Sequence, residues 1–242
     1  METVNIDFYR DNNPVVNDSY DRLISKIPLL KQSHGYNLFT ITGCEPNVGT
    51  TTIAISIAVS LASSGWKTLL VDADVRKGAS EKRLSSEAPK GFSDYLKEDI
   101  GLSEVLCDTN IGGLCYLSCG SESENPLVLL NSERMNRFIE GVSQNFDYVI
   151  FDSSSLNTTV DAAVMTSKTS GAILVVGYMQ TRRKEIEVAI RELEQTGGNV
   201  IGIVLNKVGK KDYRRYIENY DYFTRKKSKQ GRKKRSNPKK KS

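Results

Sequence analysis

The sequence is short of metal-binding residues. It has one histidine, His34, standing apart from its four cysteines, Cys44, Cys107, Cys115 and Cys119, and no two of the cysteines form a C-x-x-C pair. A structural zinc site is therefore not expected, and the cysteines read as reduced thiols rather than a disulfide framework. Long apolar runs are missing too. The run AILVVG, Ala172 to Gly177, is far below the ~20 residues a membrane-spanning helix needs. The opening METVNIDFYRDNNPVV is polar and mixed in charge, unlike a signal peptide. Acids are absent from the last eighteen residues, RKKSKQGRKKRSNPKKKS, which hold eleven Lys/Arg.

That last absence explains the net charge of +5, because the rest of the chain carries 23 basic against 29 acidic residues. A mildly acidic body with a basic arm is not the profile of a specific nucleic-acid-binding domain. With 38% hydrophobic residues over 242 positions, the body is able to bury a core of its own, and one α/β domain with tails is expected.

Residues 1 to about 17 read as a loose lead-in. DSYDRLISKIPLLKQ, Asp18 to Gln32, reads as an amphipathic helix with Tyr20, Leu23, Ile24 and Ile27 on one face. From Tyr36 onward, buried-strand patterns alternate with helical ones. The strands are NLFTIT, KTLLVDAD, DYVIFD, GAILVVGY and NVIGIVLN, and the helices Thr51 to Ser64, Ser132 to Phe146, Val160 to Ser167 and Lys184 to Thr196. Strands spaced by helices predict βαβ units and a parallel sheet. KGASEKRLSSEAPKG (Lys77 to Gly91) and GSESENP (Gly120 to Pro126) read as surface loops.

Ligands of such sheets bind beyond the carboxyl ends of the strands, and these ends carry the chemistry here. After the first strand comes CEPNVGTTT, Cys44 to Thr52, shaped like a phosphate-binding loop entering a helix. Gly49 permits close backbone approach, Thr51 stands where such loops place a Mg²⁺-ligating hydroxyl, and Thr50 stands where they place lysine. Alone, the stretch reads equally as a Gly-containing turn before a helix. The second strand runs into VDADVRK, which sets Asp72 and Asp74 two residues apart, on one face if the strand continues that far. Paired carboxylates call for a metal or a cation such as Arg76. The third strand ends on Asp152, the position of a Walker-B acid. Each motif has a bland alternative in solvated acids or a plain turn; the three in this order point to a nucleotide site.

With these residues in place, the chain resembles the cytoplasmic kinase domain of the bacterial tyrosine kinases of CpsD/CapB type, which control capsule and exopolysaccharide assembly. The resemblance runs from about Asp18 to Asn206 and rests on LLVDADVR, NPLVLLNSERM (Asn125 to Met135), DYVIFDSSS and GNVIGIVLNKV. It implies a single domain with a P-loop NTPase-like parallel sheet flanked by helices, and transfer of the γ-phosphoryl group of ATP to tyrosines, largely of the C-terminal tail. It implies Mg²⁺ on Thr51, Asp74 and Asp152, and Asp72 nearest the tyrosine hydroxyl as base or orienter. Asn206 would contact adenine, and Asn47, Val48, Gly49, Thr50, Thr51 and Thr52, with Arg76, would surround the phosphates. No Asp stands two places after Lys207, which argues against a guanine-reading N-K-x-D motif. On this reading residues 1–35 are a lead-in with its helix, 36–208 the kinase-like domain, and 209–242 a tyrosine-containing polybasic tail. The implied setting is cytoplasmic, at the inner face of the membrane, beside a membrane-embedded polysaccharide co-polymerase adaptor, with a homo-oligomer as a further expectation.

The departures bear on activity. The family's P-G-x-G-K-S/T appears as Pro46, Asn47, Val48, Gly49, Thr50 and Thr51, without one glycine and without the lysine. The usual Pro after the second strand's Arg is Gly78, and Ser155 stands at the Pro-like end of the Walker-B stretch. Two arginines that the family uses for subunit contacts are Asp21 and Ile24, which weighs against a ring. A neutral hydroxyl in place of the loop lysine is expected to cost roughly 10²- to 10³-fold in rate, while binding survives on backbone N–H groups, Thr51, Mg²⁺ and Asn206. Arg76 or Lys77 is a candidate substitute cation.

In the tail, Tyr213, Tyr216, Tyr220 and Tyr222 read as phosphate acceptors or as an aromatic stripe at helical spacing, which are compatible. The basic end, Arg225 to Lys241, reads as a solvated arm. Its sharper reading is attraction to an anionic membrane surface, opposed by phosphates on the adjoining tyrosines. Three functions compete: a tyrosine autokinase, a nucleotide-binding regulator of the same fold impaired in phosphoryl transfer, and a partition-type positioning ATPase. The D-x-D-x-R series and the tyrosines disfavour the third, and Thr50 argues against an efficient version of the first.

Overall fold

The computed structural model describes residues 3–6, 14–76, 84, 90–209 and 211–213. Five strands carry the apolar runs: β2 (Leu38–Gly43), β3 (Thr68–Asp72), β6 (Tyr148–Asp152), β7 (Gly171–Gly177) and β8 (Val200–Asn206). Each lies within two residues of the strand expected from its sequence pattern. They are joined by three shorter strands, β1 (Thr3–Val4), β4 (Cys107–Thr109) and β5 (Leu114–Leu117). The helices are α1 (Pro14–His34), α2 (Thr50–Ser63), α3 (Phe92–Lys97), α4 (Leu102–Val105), α5 (Pro126–Leu130), α6 (Glu133–Asn145), α7 (Asp161–Ser167) and α8 (Arg183–Gln195).

The sheet runs β1-β4-β5-β3-β6-β2-β7-β8, parallel except where β4 meets β5. Strand alternation sorts the side chains into two cores. On one face Phe39, Ile41, Leu70, Tyr148, Ile150 and Val175 pack under α1 and α2. On the other, Leu69, Val71, Val149 and Phe151 pack against Phe92, Leu96, Met135 and Phe138 of α3 and α6. A third cluster joins Leu174 and Val176 of β7 to Ala162, Ala163, Ala189 and Leu193 of α7 and α8. The central helix α2 has Ile53 to Val59 continuously buried, because the sheet covers one side and α1 the other.

Two expectations are corrected. The start of the chain is not wholly a loose lead-in: Thr3–Val4 pairs in parallel with Asp108 and Thr109, and α1 begins at Pro14. The stretch from Gly120 is a loop only to Asn125, since Pro126 opens α5. Most of Lys77 to Gly91, and Tyr216, Tyr220, Tyr222 and the basic end, lie outside the described residues. Among the described residues no helix is long and apolar enough to cross a membrane.

Candidate nucleotide site

The strand order assembles the site. Because β6 lies between β3 and β2, Asp72 and Asp152 sit directly opposite each other in register at the carboxyl ends of adjacent parallel strands. Neighbouring strands lie ~4.8 Å apart, so the two carboxylates share one location. The next strand, β2, releases the loop Cys44 to Gly49. Beyond β7, whose Gly177 pairs with Asn206, β8 ends at the same edge. Acids, loop and Asn206 therefore stand in a row along one edge of the sheet, where open parallel sheets take their ligands.

The loop keeps a phosphate-loop shape without its second glycine. Asn47 has φ 63°, a left-handed conformation that Asn reaches at less cost than most residues, and Gly49 has φ 96°. Gly49 precedes α2, and the first bond into the helix runs from the Ile53 N–H to the Gly49 carbonyl (3.1 Å). The N–H groups of Thr50, Thr51 and Thr52 open the helix, where such donors have no intrahelical acceptor. Thr51 and Thr52 are half-buried there, and the Val48 side chain is fully buried.

Outside contacts hold the loop. The Thr181 hydroxyl donates to Glu45 Oε1 (2.7 Å) and accepts from the Gly177 N–H (2.9 Å). The Asn206 amide donates to the Val48 carbonyl (2.8 Å), and the Lys207 ammonium donates to the Asn47 carbonyl and to Gln180 Oε1 (3.2 Å). Lys207 itself has φ 62°, a conformation that costs a side-chain-bearing residue about 1 kcal/mol. From the Walker-B side, the N–H groups of Leu156 and Asn157 donate to the carbonyls of Gly43 and Cys44 (2.9 and 3.2 Å). Burial first, then Glu45 and Glu185, push the Cys44 thiol up to about 11, so it stays protonated and acts as packing rather than as a nucleophile.

The acids are not arranged as simple strand alternation implies. Strand β3 stops at Asp72, so Asp74 lies past its end. The Asp74 N–H turns back to Asp72 Oδ1 (3.1 Å), and Asp72 is buried while Asp74 is half-buried. Beneath them, burial and then Asp72 push the phenol of Tyr116 above its ordinary range, keeping it neutral. Arg76 is placed on Asp161 rather than standing open as a phosphate cation. Its Nε and Nη2 donate to the two carboxylate oxygens at 2.5 and 3.0 Å. The hydrogen bond to Asp161 chiefly, with Asp74 a lesser contributor, raises the guanidinium pKa. The Asp161 side chain is 4% exposed. Replacing Arg76 with Met should strand that buried carboxylate and cost about 2 to 4 kcal/mol, a fall in Tm of roughly 4 to 16 °C by differential scanning fluorimetry. Adding Asp161→Asn should recover part of the loss, and a Tm unmoved by Arg76→Met would show the pair to be idle.

Beside Asn206 a groove of about 430 Å³ opens between α1 and the outer edge of β8, lined by Tyr20, Leu23, Ile53, Asn206, Lys207 and Tyr213 among others. Tyr213, the one expected acceptor within the described residues, packs on α1, its hydroxyl bonded to Ser19. Glu45, Asp161, Thr181 and Lys207 were missing from the sequence-derived site. For Lys207 the signal was its place directly after Asn206; for Asp161 no local pattern marks it.

Comparison with known proteins identifies the family and the fold. Residues 40–182, more than half the chain, match the family model described as an AAA domain. Over 190 residues the chain is 37% identical to tyrosine-protein kinase CpsD of Streptococcus pneumoniae serotype 4, covering 78% of this chain and 83% of that protein. The chain belongs to the bacterial tyrosine kinase family. A second member, tyrosine-protein kinase CpsD of Streptococcus agalactiae, is 35% identical over 172 residues, 71% of this chain and 75% of its own length. Among solved structures, the kinase domain of the Escherichia coli tyrosine kinase ETK superposes with a TM-score of 0.79 at 30% identity, covering 87% of this chain and 83% of that one. The family's fold, a P-loop NTPase-like sheet flanked by helices, is the fold described above.

Mg²⁺ is the metal this fold implies, and the donor set fits it. Carboxylate and hydroxyl oxygens are the hard ligands it prefers, and it is usually held by one or two carboxylates together with substrate phosphates and water. Among the described residues no cluster of three or more His, Cys, Asp or Glu stands ready to hold a metal ion by itself.

Proposed function

We propose that this chain binds Mg-ATP as a tyrosine-kinase-like regulator of capsular or exopolysaccharide synthesis and export, impaired in phosphoryl transfer by Thr50. The observation that carries the reading is the register of Asp72 with Asp152 beside a loop anchored by Asn206. In this reading the N–H groups of Val48 to Thr52 receive the phosphates, and the adenine enters the groove between Ile53 and the end of β8, where Asn206 meets it. A groove of that volume suits a small aromatic ligand. Thr51, Asp74 and Asp152 would hold Mg²⁺, which when bound would supply charge neutralisation on the phosphates. Asp72 accepts the proton of the tyrosine hydroxyl as its oxygen bonds to the γ-phosphorus and the bond to ADP breaks. Tyr213, Tyr216, Tyr220 and Tyr222 are the proposed acceptors. The proposed setting is the inner face of the membrane beside a membrane-embedded co-polymerase adaptor.

Thr50 is neutral and Arg76 is engaged by Asp161, so neither offers the transferring phosphate a free cation, which favours the impaired form over a fully active autokinase. Equilibrium binding of a fluorescent ATP analogue to the purified chain, with and without Mg²⁺, is the test. A Kd in the micromolar range, corresponding to about −8 kcal/mol, that weakens on chelation is expected. No binding at millimolar nucleotide would discard the nucleotide reading.

A further inference from the structure

The loop Cys44 to Thr52 carries one charged side chain, and it is an acid, Glu45. A polyphosphate would therefore meet a loop whose own side chains repel it, and the compensating charge must come from elsewhere. At this loop the structure brings up Lys207, from the residue immediately after β8, in a left-handed backbone conformation, with its ammonium on the Asn47 carbonyl. The side chain is fixed at a second point by Gln180 Oε1. Strand β8 is itself held there, because the Tyr178 N–H donates to the Asn206 carbonyl (2.8 Å).

We propose that Lys207 is a positioning residue of the nucleotide site: with Asn206 it draws two successive loop carbonyls toward the end of β8 and so aims the amides of Val48 and Gly49 at the phosphates. The argument is the planarity of the peptide. In a trans peptide the C=O and N–H point in opposite directions. A hydrogen bond that pulls the Asn47 carbonyl toward Lys207 turns the Val48 N–H away from β8, and the bond from Asn206 to the Val48 carbonyl does the same for the Gly49 N–H. Both donors are then presented together, before any ligand arrives, by a clamp outside the loop. Lys207 adds a positive charge at the loop's rim. Two neighbouring residues of one strand end, each bonded to one of two neighbouring peptides, form a matched pair.

This role rests on the nucleotide reading above, and two measurements on the full-length chain separate them. Lys207→Met should weaken binding of the fluorescent ATP analogue about 10-fold, while Lys207→Arg, which keeps charge and donors, stays within about threefold of the unmodified chain. In the nucleotide-free protein, hydrogen exchange of the Val48 and Gly49 amides should quicken in Lys207→Met and not in Lys207→Arg, with Tm unchanged within about 2 °C. If the unmodified chain binds nucleotide and Lys207→Met binds it equally well, the positioning role is overturned. It is overturned likewise if exchange at Val48 and Gly49 is the same in all three proteins. If the unmodified chain binds no nucleotide, the site reading itself fails and the role of Lys207 falls with it.

Discussion

Replacing Thr50 with lysine should raise phosphotyrosine formation by roughly 10²- to 10³-fold, the scale of restoring one preorganised donor to a charge-developing site. Phosphoryl transfer is catalysed mainly by position and charge, and a loop lysine contributes to both by reaching the β- and γ-phosphates. Thr50, at the first position of α2, offers a short neutral hydroxyl. That hydroxyl faces the start of the loop: a Cβ built on Gly43 would lie 2.8 Å from Thr50 Oγ1 and 2.6 Å from the Val48 side chain. Arg76 does not stand in for the lysine, because its guanidinium holds both oxygens of Asp161. The measurement is phosphotyrosine on purified protein incubated with Mg-ATP and the cytoplasmic segment of the proposed co-polymerase adaptor, for the unmodified chain and the Thr50→Lys variant. Adding Asp72→Asn to the lysine variant should return labelling to the starting level. Strong labelling of the unmodified chain, equal to that of the lysine variant, would sink the impaired-kinase reading.

Gly49→Ala should abolish most nucleotide binding while leaving the fold standing. Two costs add at this position. The backbone sits at φ 96°, which a residue with a Cβ adopts at a cost of about 1 to 2 kcal/mol. The new Cβ would lie 2.3 Å from Asn206 Nδ2, well inside contact distance, so the amide must leave and release the Val48 carbonyl it holds. Displacement of phosphate-binding amides by about 1 Å is expected to weaken affinity roughly 100-fold, against a fall in Tm of only a few degrees. Combining Gly49→Ala with Asn206→Ala removes the clash but also the clamp, so Tm should recover in part and affinity should not. Titration of the ATP analogue alongside thermal melts reads both. An affinity unchanged by Gly49→Ala would remove the loop from the binding site.

The five long strands and the helices α2, α6, α7 and α8 could be read from the sequence because each carries its own periodicity, apolar runs or a helical stripe closed by turn residues. The short elements could not. Strands β1, β4 and β5 have two to four residues, too few to show a period, and exist because a neighbouring strand edge was available to them. The site divided in the same way. Asp72, Asp152, Gly49 and Asn206 are marked by their place at the end of an apolar run or the head of a helix. A shared face for Asp72 and Asp74 required the strand to continue to Asp74, and the length of a strand is set by its neighbours: β3 ends one residue after Val71.

By itself, then, the sequence determined the long elements, the phosphate-type loop with its missing lysine, the acids at two strand ends, and the family. These are properties of short windows, in which side-chain pattern and backbone preference act over a few residues. The tertiary structure alone decided which of those windows become neighbours. It set Asp152 in register with Asp72 by placing β6 between β3 and β2, committed Arg76 to Asp161 across 85 positions of chain, and turned Lys207 onto Asn47 from 160 residues away. Such partnerships depend on strand order and packing of the whole sheet, which no local stretch encodes.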